Sequence, residues 1–182
     1  MLNLPNYLTI LRIAVIPFMV IFLLFPGKWP AFFASLLFSM AAITDLLDGY
    51  IARRRNAVTF LGKALDPLAD KLLITAALIM LIPLGRIPAW MAVVIISREI
   101  AVTGLRGISA RDGSVISASS LGKYKTIFQD TALIGLLLHY EYIYIDFHVV
   151  GMFFLWIALF VTIWSGIDYF YRFFKEAESL DG

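Results

Sequence analysis

Apolar residues in this chain come in long runs broken by short polar connections, with little of the strict alternation expected of strands. A run of roughly 20 mostly apolar residues is enough to cross a bilayer as a helix. Six stretches meet that description. They run from about Tyr7 to Phe25, Pro30 to Ala52, Leu65 to Leu84, Pro88 to Ile108, Ser120 to His139 and Phe147 to Phe170. Breakers separate them: Pro26-Gly27, then Arg53-Arg54-Arg55-Asn56, then Pro83, Gly85 and Pro88, then the polar Arg111-Asp112-Gly113-Ser114. Ser120 suits the N-cap of the fifth. The segment Leu2-Asn3-Leu4-Pro5-Asn6 reads as a small element lying on the membrane surface, and a short charged tail follows the sixth run. The pattern predicts an all-α integral membrane protein with six transmembrane helices in one domain spanning residues 1–182.

Composition agrees. Of 182 residues, 61% are hydrophobic and 15% charged, against about 45–50% and 25% in soluble domains. The absence of cysteine excludes disulfides and thiolate metal sites. No small-residue cleavage site follows the first apolar run, so no cleaved signal is expected. Only the sixth run is uncharged over a full membrane thickness; the others carry ionisable residues in one half. With the N-terminus inside, Arg12, Arg53, Arg54, Arg55, Lys63, Lys71, Arg98, Arg106, Arg111, Lys123, Lys125, Arg172 and Lys175 face the cytoplasm, and only Lys28 and Arg86 lie outside. That bias fixes the expected orientation. The same half holds Asp45, Asp48, Asp66, Asp70 and Glu99, which predicts a polar, water-accessible cavity open to the cytoplasm.

Within that half, residues 45–70 read D-x2-D-G-x2-A-R-x8-G-x3-D-x3-D. At about 100° per residue, Asp45, Asp48, Gly49 and Ala52 fall within one arc of roughly 100° on a helix, and Asp66 and Asp70 share a face of the next. Helices joined by a short connection are usually neighbours, so the two faces can meet. Four carboxylates of one sign at a membrane edge require cations. An all-oxygen site of this kind suits Mg²⁺ or Mn²⁺; Ca²⁺ is chemically possible, whereas Zn²⁺ more often recruits His or Cys. Gly49 permits close approach, Ala52 keeps its face unobstructed, Gly62 leaves room before the second pair, and the Arg53 fork suits a phosphate. One acid at a helix end is ordinarily a solvated or dipole-stabilising charge. That account does not cover four acids together with both glycines and the Ala-Arg pair.

The same eight residues at the same spacing resemble the signature of the CDP-alcohol phosphotransferases, with every position matched, and the six-run layout is similar to that family from end to end. The resemblance implies exchange of the CMP of a CDP-linked lipid for an acceptor hydroxyl, two divalent cations, and a homodimer. It assigns the cations to Asp45, Asp48, Asp66 and Asp70, the general base to Asp70, and the CDP moiety to Gly49, Ala52, Arg53 and Gly62. It also implies a bacterial cytoplasmic membrane, and no nucleic-acid partner is expected.

Acceptor choice is expected from a second, basic cluster: Arg98, Arg106, Lys123 and Lys125, which suit a phosphate group. Glu99 and Arg106 share a helical face, and Arg98 lies within about 80° of Arg106. Lys123 and Lys125 reach one site only if the helix begins between them. The strings Ser97-Arg98-Glu99-Ile100, Gly104-Leu105-Arg106, Leu121-Gly122-Lys123-Tyr124-Lys125-Thr126 and Leu4-Pro5-Asn6-Tyr7-Leu8-Thr9-Ile10-Leu11-Arg12 resemble the branch of the family that uses sn-glycerol 3-phosphate and yields phosphatidylglycerophosphate. An inositol phosphate satisfies the same phosphate logic, whereas serine does not need so many cations. Gln129 and Asp130 are expected to bond between helices, Asp168 to pair with a nearby arginine, and His139 and His148 to lie toward the outer side. A cation transporter is the rival class, since acids inside a membrane also mark ion paths; no acidic relay leads outward here.

Overall fold

The computed structural model describes the backbone of residues 4–55, 60–111 and 120–181, and the side chains of residues 7, 9–44, 68–109, 122 and 124–176. Within them the chain forms helices α1 (Leu4–Leu23), α2 (Lys28–Arg55), α3 (Phe60–Leu81), α4 (Ala89–Arg111), α5 (Ser120–Leu138) and α6 (Phe147–Asp181). A two-stranded antiparallel hairpin, β1 (Glu141–Tyr142) and β2 (Ile145–Asp146), joins α5 to α6.

Several helices outrun the apolar stretches that announce them, because apolarity marks where lipid is expected and not where hydrogen bonding stops. α2 starts at Lys28, ahead of Pro30, since a proline in the first turn lacks only a donor that has no intrahelical acceptor. It then continues through the arginines to Arg55, and α3 begins at Phe60, well before Leu65. The charged tail is helical as well, as α6 extends to Asp181. Among the described residues, one helix is long and apolar enough by itself to cross a membrane: Phe147–Glu176, with mean hydropathy 2.1. Thr9–Leu23 and Lys28–Thr44 are shorter apolar stretches.

Met19, Phe38, Leu78, Met91, Leu133 and Leu155, one from each helix, are buried in a single core cluster. Large apolar side chains also cover the outside, among them Phe153, Trp156, Phe160, Trp164 and Ile167 along α6. A helix apolar on every side suits a membrane or a large interior rather than a water-facing surface. α5 packs most extensively on α6; α1 lies against α2 and α3, α2 against α5, and α4 against α6. The α5–α6 crossing depends on two glycines. A Cβ on Gly135 would stand 2.9 Å from the Gly151 Cα, and one on Gly151 would stand 2.7 Å from the Leu136 backbone nitrogen.

The turns α1–α2 and α3–α4 and the α5–α6 hairpin are fastened together at one end of the bundle. Gly27, at φ +129°, donates its N–H to the Tyr140 hydroxyl at 3.1 Å. The Tyr142 hydroxyl donates to the Lys28 carbonyl at 2.7 Å, and Lys28 Nζ donates to the Glu141 carbonyl at 3.2 Å. Buried Arg86 donates from Nη1 to the Leu136 and Leu137 carbonyls at 3.1 and 2.7 Å, capping acceptors that the end of α5 leaves open. Asp146 Oδ1 accepts from the His148 and Val149 N–H groups at 2.9 and 3.2 Å, the geometry of an N-cap for α6. The hairpin was not legible in Glu-Tyr-Ile-Tyr-Ile-Asp. Its turn places Ile143 and Tyr144 at φ 49° and 63°, where Asn or Gly is the usual signal.

His139, itself at φ 61°, faces His148 across 3.3 Å between their Nδ1 atoms. Burial, reinforced by the Arg86 guanidinium and by His148 and opposed by Asp146, holds the His139 imidazole below its usual 6.5. The unfolded chain therefore takes up this proton first as pH falls. The resulting stability is fully present above about pH 6.5 and is lost as pH drops toward the folded value. The thermal unfolding midpoint in detergent should decline between about pH 7 and about pH 5, and His139→Gln should flatten that decline. An unchanged slope in the variant would show that His139 is not the group responsible.

Candidate active site

The end of the bundle opposite that hairpin carries the acids. α2 is helical through Asp45, Asp48, Gly49, Ala52 and Arg53, and α3 through Gly62, Asp66 and Asp70, so the angular relations expected from their spacing apply to the backbone as it stands. Gly62, Asp66 and Asp70 follow one another at four-residue intervals along one side of α3. Of these residues, the side chain of Asp70 alone lies within the described set, half-buried. Those of Asp45, Asp48, Asp66, Arg53 and Ala52 lie outside it, as do the surroundings of Gly49 and Gly62. Among the described residues no three His, Cys, Asp or Glu side chains gather as a metal cage. The donor set itself fits hard divalent cations: carboxylate oxygens from two consecutive helices, with neither imidazole nor thiolate among them.

Next to Asp70 the described side chains form an ionic cluster centred on Glu99. Lys71 Nζ of α3 lies 3.6 Å from Glu99 Oε2. Glu99 Oε1 accepts from Arg98 Nη1 at 3.1 Å and from Lys125 Nζ of α5. Arg98 Nη2 in turn donates to Ser165 Oγ of α6 at 2.9 Å, and Ser165 Oγ donates to the Thr162 carbonyl at 3.2 Å. Three helices thus meet at one carboxylate, and Arg98 ties α6 to them. The Glu99 side chain is 14% exposed, Lys125 5% and Lys71 27%. Charges buried this deeply persist only when paired and hydrogen-bonded.

The basic residues expected to act together divide in the structure. Arg98 and Lys125 meet at Glu99. Arg106, about two turns further along α4, is exposed and lies 5.5 Å over the ring of Tyr169 on α6. α5 begins at Ser120, ahead of both lysines, so Lys123 and Lys125 are separated by about 200° around the helix; the side chain of Lys123 lies outside the described residues. Lys71 and Glu99 were not among the expected site residues. Their signal was an acid within an apolar run facing several cations, which spacing alone cannot pair across three helices. Gln129 is fully buried, and its amide nitrogen and oxygen have no hydrogen-bond partner among the described residues. Asp168 accepts from Arg172 Nε at 3.1 Å.

Arg98 also lines a groove of about 530 Å³ between α4 and α6, with Ser97, Ala101, Gly166, Ile167 and Phe170 among its walls. Gly166 lets the Arg98 stem lie close, since a Cβ there would stand 3.2 Å from Arg98 Cγ.

The acid signature thus runs along the backbone of two consecutive helices, α2 and α3. The chain belongs to the CDP-alcohol phosphatidyltransferase family, whose profile matches residues 2–164. Among its relatives is a Bacillus subtilis protein, 47% identical with 93% of this chain and 94% of the relative covered. One from Rickettsia bellii is 44% identical, covering 92% and 93%, and one from Escherichia coli K12 is 37% identical, covering 92% of each. All three are named CDP-diacylglycerol–glycerol-3-phosphate 3-phosphatidyltransferase.

Proposed function

We propose that this chain transfers the phosphatidyl group of CDP-diacylglycerol to sn-glycerol 3-phosphate, releasing CMP and forming phosphatidylglycerophosphate. The observation that carries this is likeness over more than nine-tenths of both chains to relatives so named, joined to an unbroken acid signature on α2 and α3. The whole chain acts as one membrane domain of six spans, its acids and basic cluster in a polar cavity on the cytoplasmic face of a bacterial inner membrane. The charge bias along the sequence, the apolar outer surface of α6 and the segregation of Lys28 and Arg86 to the hairpin end support that arrangement. The acyl tails then stay in lipid while nucleotide and acceptor come from water. The active unit is a homodimer.

In this reading Asp45, Asp48, Asp66 and Asp70 hold two Mg²⁺ or Mn²⁺ ions, and Gly49, Ala52, Arg53 and Gly62 receive the CDP moiety. When bound, the ions neutralise the diphosphate and the charge developing on the leaving oxygen. The acceptor hydroxyl oxygen forms a bond to the β-phosphorus as the bond from that phosphorus to the bridging oxygen breaks and CMP departs. Asp70 takes the acceptor proton. Arg98, Arg106, Lys123 and Lys125 form the acceptor-phosphate set, with Arg98 and Lys125 the two already gathered at Glu99.

The test is purified protein with CDP-diacylglycerol, Mg²⁺ or Mn²⁺, and a panel of acceptors, following CMP. Metal-dependent CMP release with glycerol 3-phosphate is expected. Release with inositol phosphate or serine alone overturns the acceptor assignment. Cation flux in liposomes without release to any acceptor overturns the enzyme.

A further inference from the structure

We infer that Glu99 is a positioning residue: it gathers Lys71, Arg98 and Lys125 into a single anion-receiving site whose surplus of two positive charges matches a dianionic phosphate monoester. The inference rests on the acceptor reading above and extends it to residues that the signature does not include.

The charge balance is the first argument. Each of α3, α4 and α5 contributes one cation, and all three reach the same carboxylate. A buried ion pair that only holds helices together needs one cation per carboxylate, and each additional cation adds repulsion and desolvation cost. Among the described residues, three cations around Glu99 leave two positive charges without a counter-ion in the cluster. A phosphate monoester near neutral pH carries about −1.5 to −2 and three acceptor oxygens, which supplies the missing charge.

Unused hydrogen-bonding capacity is the second. Arg98 Nε is buried and has no partner among the described residues, while its Nη2 is anchored to Ser165 of α6, so the guanidinium is held with a donor to spare. Gln129 follows Lys125 by one turn of α5, on the same side of that helix, and its fully buried amide is likewise unpartnered among the described residues. Buried polar groups left in this state are costly; a phosphorylated polyol provides both the acceptors and the hydroxyls that would satisfy them. Lys71, finally, directly follows Asp70 in α3, so the proposed base and one cation of this site share a helical turn. Without the Glu99 carboxylate the three cations repel one another, and Lys71 and Lys125 lose the group that draws them to Arg98, which keeps its anchor on Ser165.

The experiment measures steady-state CMP release from CDP-diacylglycerol in mixed micelles with two acceptors: glycerol 3-phosphate, and its methyl ester, a phosphodiester fixed at one negative charge. Glu99→Gln should raise KM for glycerol 3-phosphate roughly tenfold or more while leaving KM for CDP-diacylglycerol nearly unchanged, and Glu99→Asp should restore much of the loss. The double variant Glu99→Gln/Lys125→Gln removes the buried pair together and should still show the KM defect. Lys71→Gln, at the most exposed cation, lowers the surplus to one; it should shift preference from glycerol 3-phosphate toward the methyl ester by about tenfold. Variants that lose kcat with both KM values intact, or a Lys71→Gln protein with an unchanged acceptor ratio, would overturn the positioning role. Absence of glycerol 3-phosphate-dependent CMP release from the unsubstituted protein would instead remove the underlying acceptor reading.

Discussion

Asp70→Asn is expected to abolish CMP release. The substitution keeps the shape of the side chain but removes its charge and its capacity to take a proton. A positioned base contributes roughly 10²–10⁴-fold, and a lost cation-holding carboxylate adds to that. Asp70 is half-buried, on the helix that carries Lys71 into the Glu99 cluster. The loss should appear in kcat at saturating glycerol 3-phosphate. If the variant keeps its kcat and only needs more Mg²⁺, Asp70 holds metal without acting as the base. If it keeps more than about a tenth of the activity at every metal concentration, both roles are wrong.

The second large effect is structural and lies at the other end of the bundle. Gly151→Val should destabilise the protein severely, and Gly135→Ala should do so to a lesser degree. At Gly151 even a Cβ meets the Leu136 backbone nitrogen at 2.7 Å and the Ala132 carbonyl oxygen at 3.0 Å. Backbone cannot rotate aside as a side chain does, so α5 and α6 must separate along their most extensive contact. Overpacking of a well-filled interior costs about 1–3 kcal/mol and more where the backbone has to move. Lower thermal midpoints in detergent, with Gly151→Val well below Gly135→Ala, are the expected result. A Gly151→Val protein of unchanged midpoint would mean that the crossing is looser than 2.7 Å implies. Gly166→Ala is a useful contrast, because its new Cβ meets only the Arg98 stem, at 3.2 Å.

Much of this was readable from residues alone, for reasons that differ from place to place. The helices were legible because long apolar runs and their Pro and Gly breakers are local signals, and α1, α4 and α5 lie within a few residues of the expected ends. The acid pairs were legible because a fixed spacing on a helix is a local geometric fact, and the two pairs stand on consecutive helices. The ends of α2, α3 and α6 were misjudged where charged residues continue a helix past the apolar stretch. The hairpin between α5 and α6 escaped because its turn uses Ile143 and Tyr144, which carry no turn signal.

The basic cluster shows the boundary between the two kinds of information. Sequence by itself determined that an excess of cations accompanies the acids and which helix carries each one, since charge and helical phase are properties of short segments. Tertiary structure alone decided which of them meet. Lys71, Arg98 and Lys125 lie on three helices and are brought to one carboxylate, while Arg106 goes to the Tyr169 ring although its spacing puts it on the Glu99 face. Contacts between helices depend on how closely their axes approach and how each is rotated. Those quantities are set here by features as distant as the Gly135–Gly151 crossing, and no local pattern encodes them.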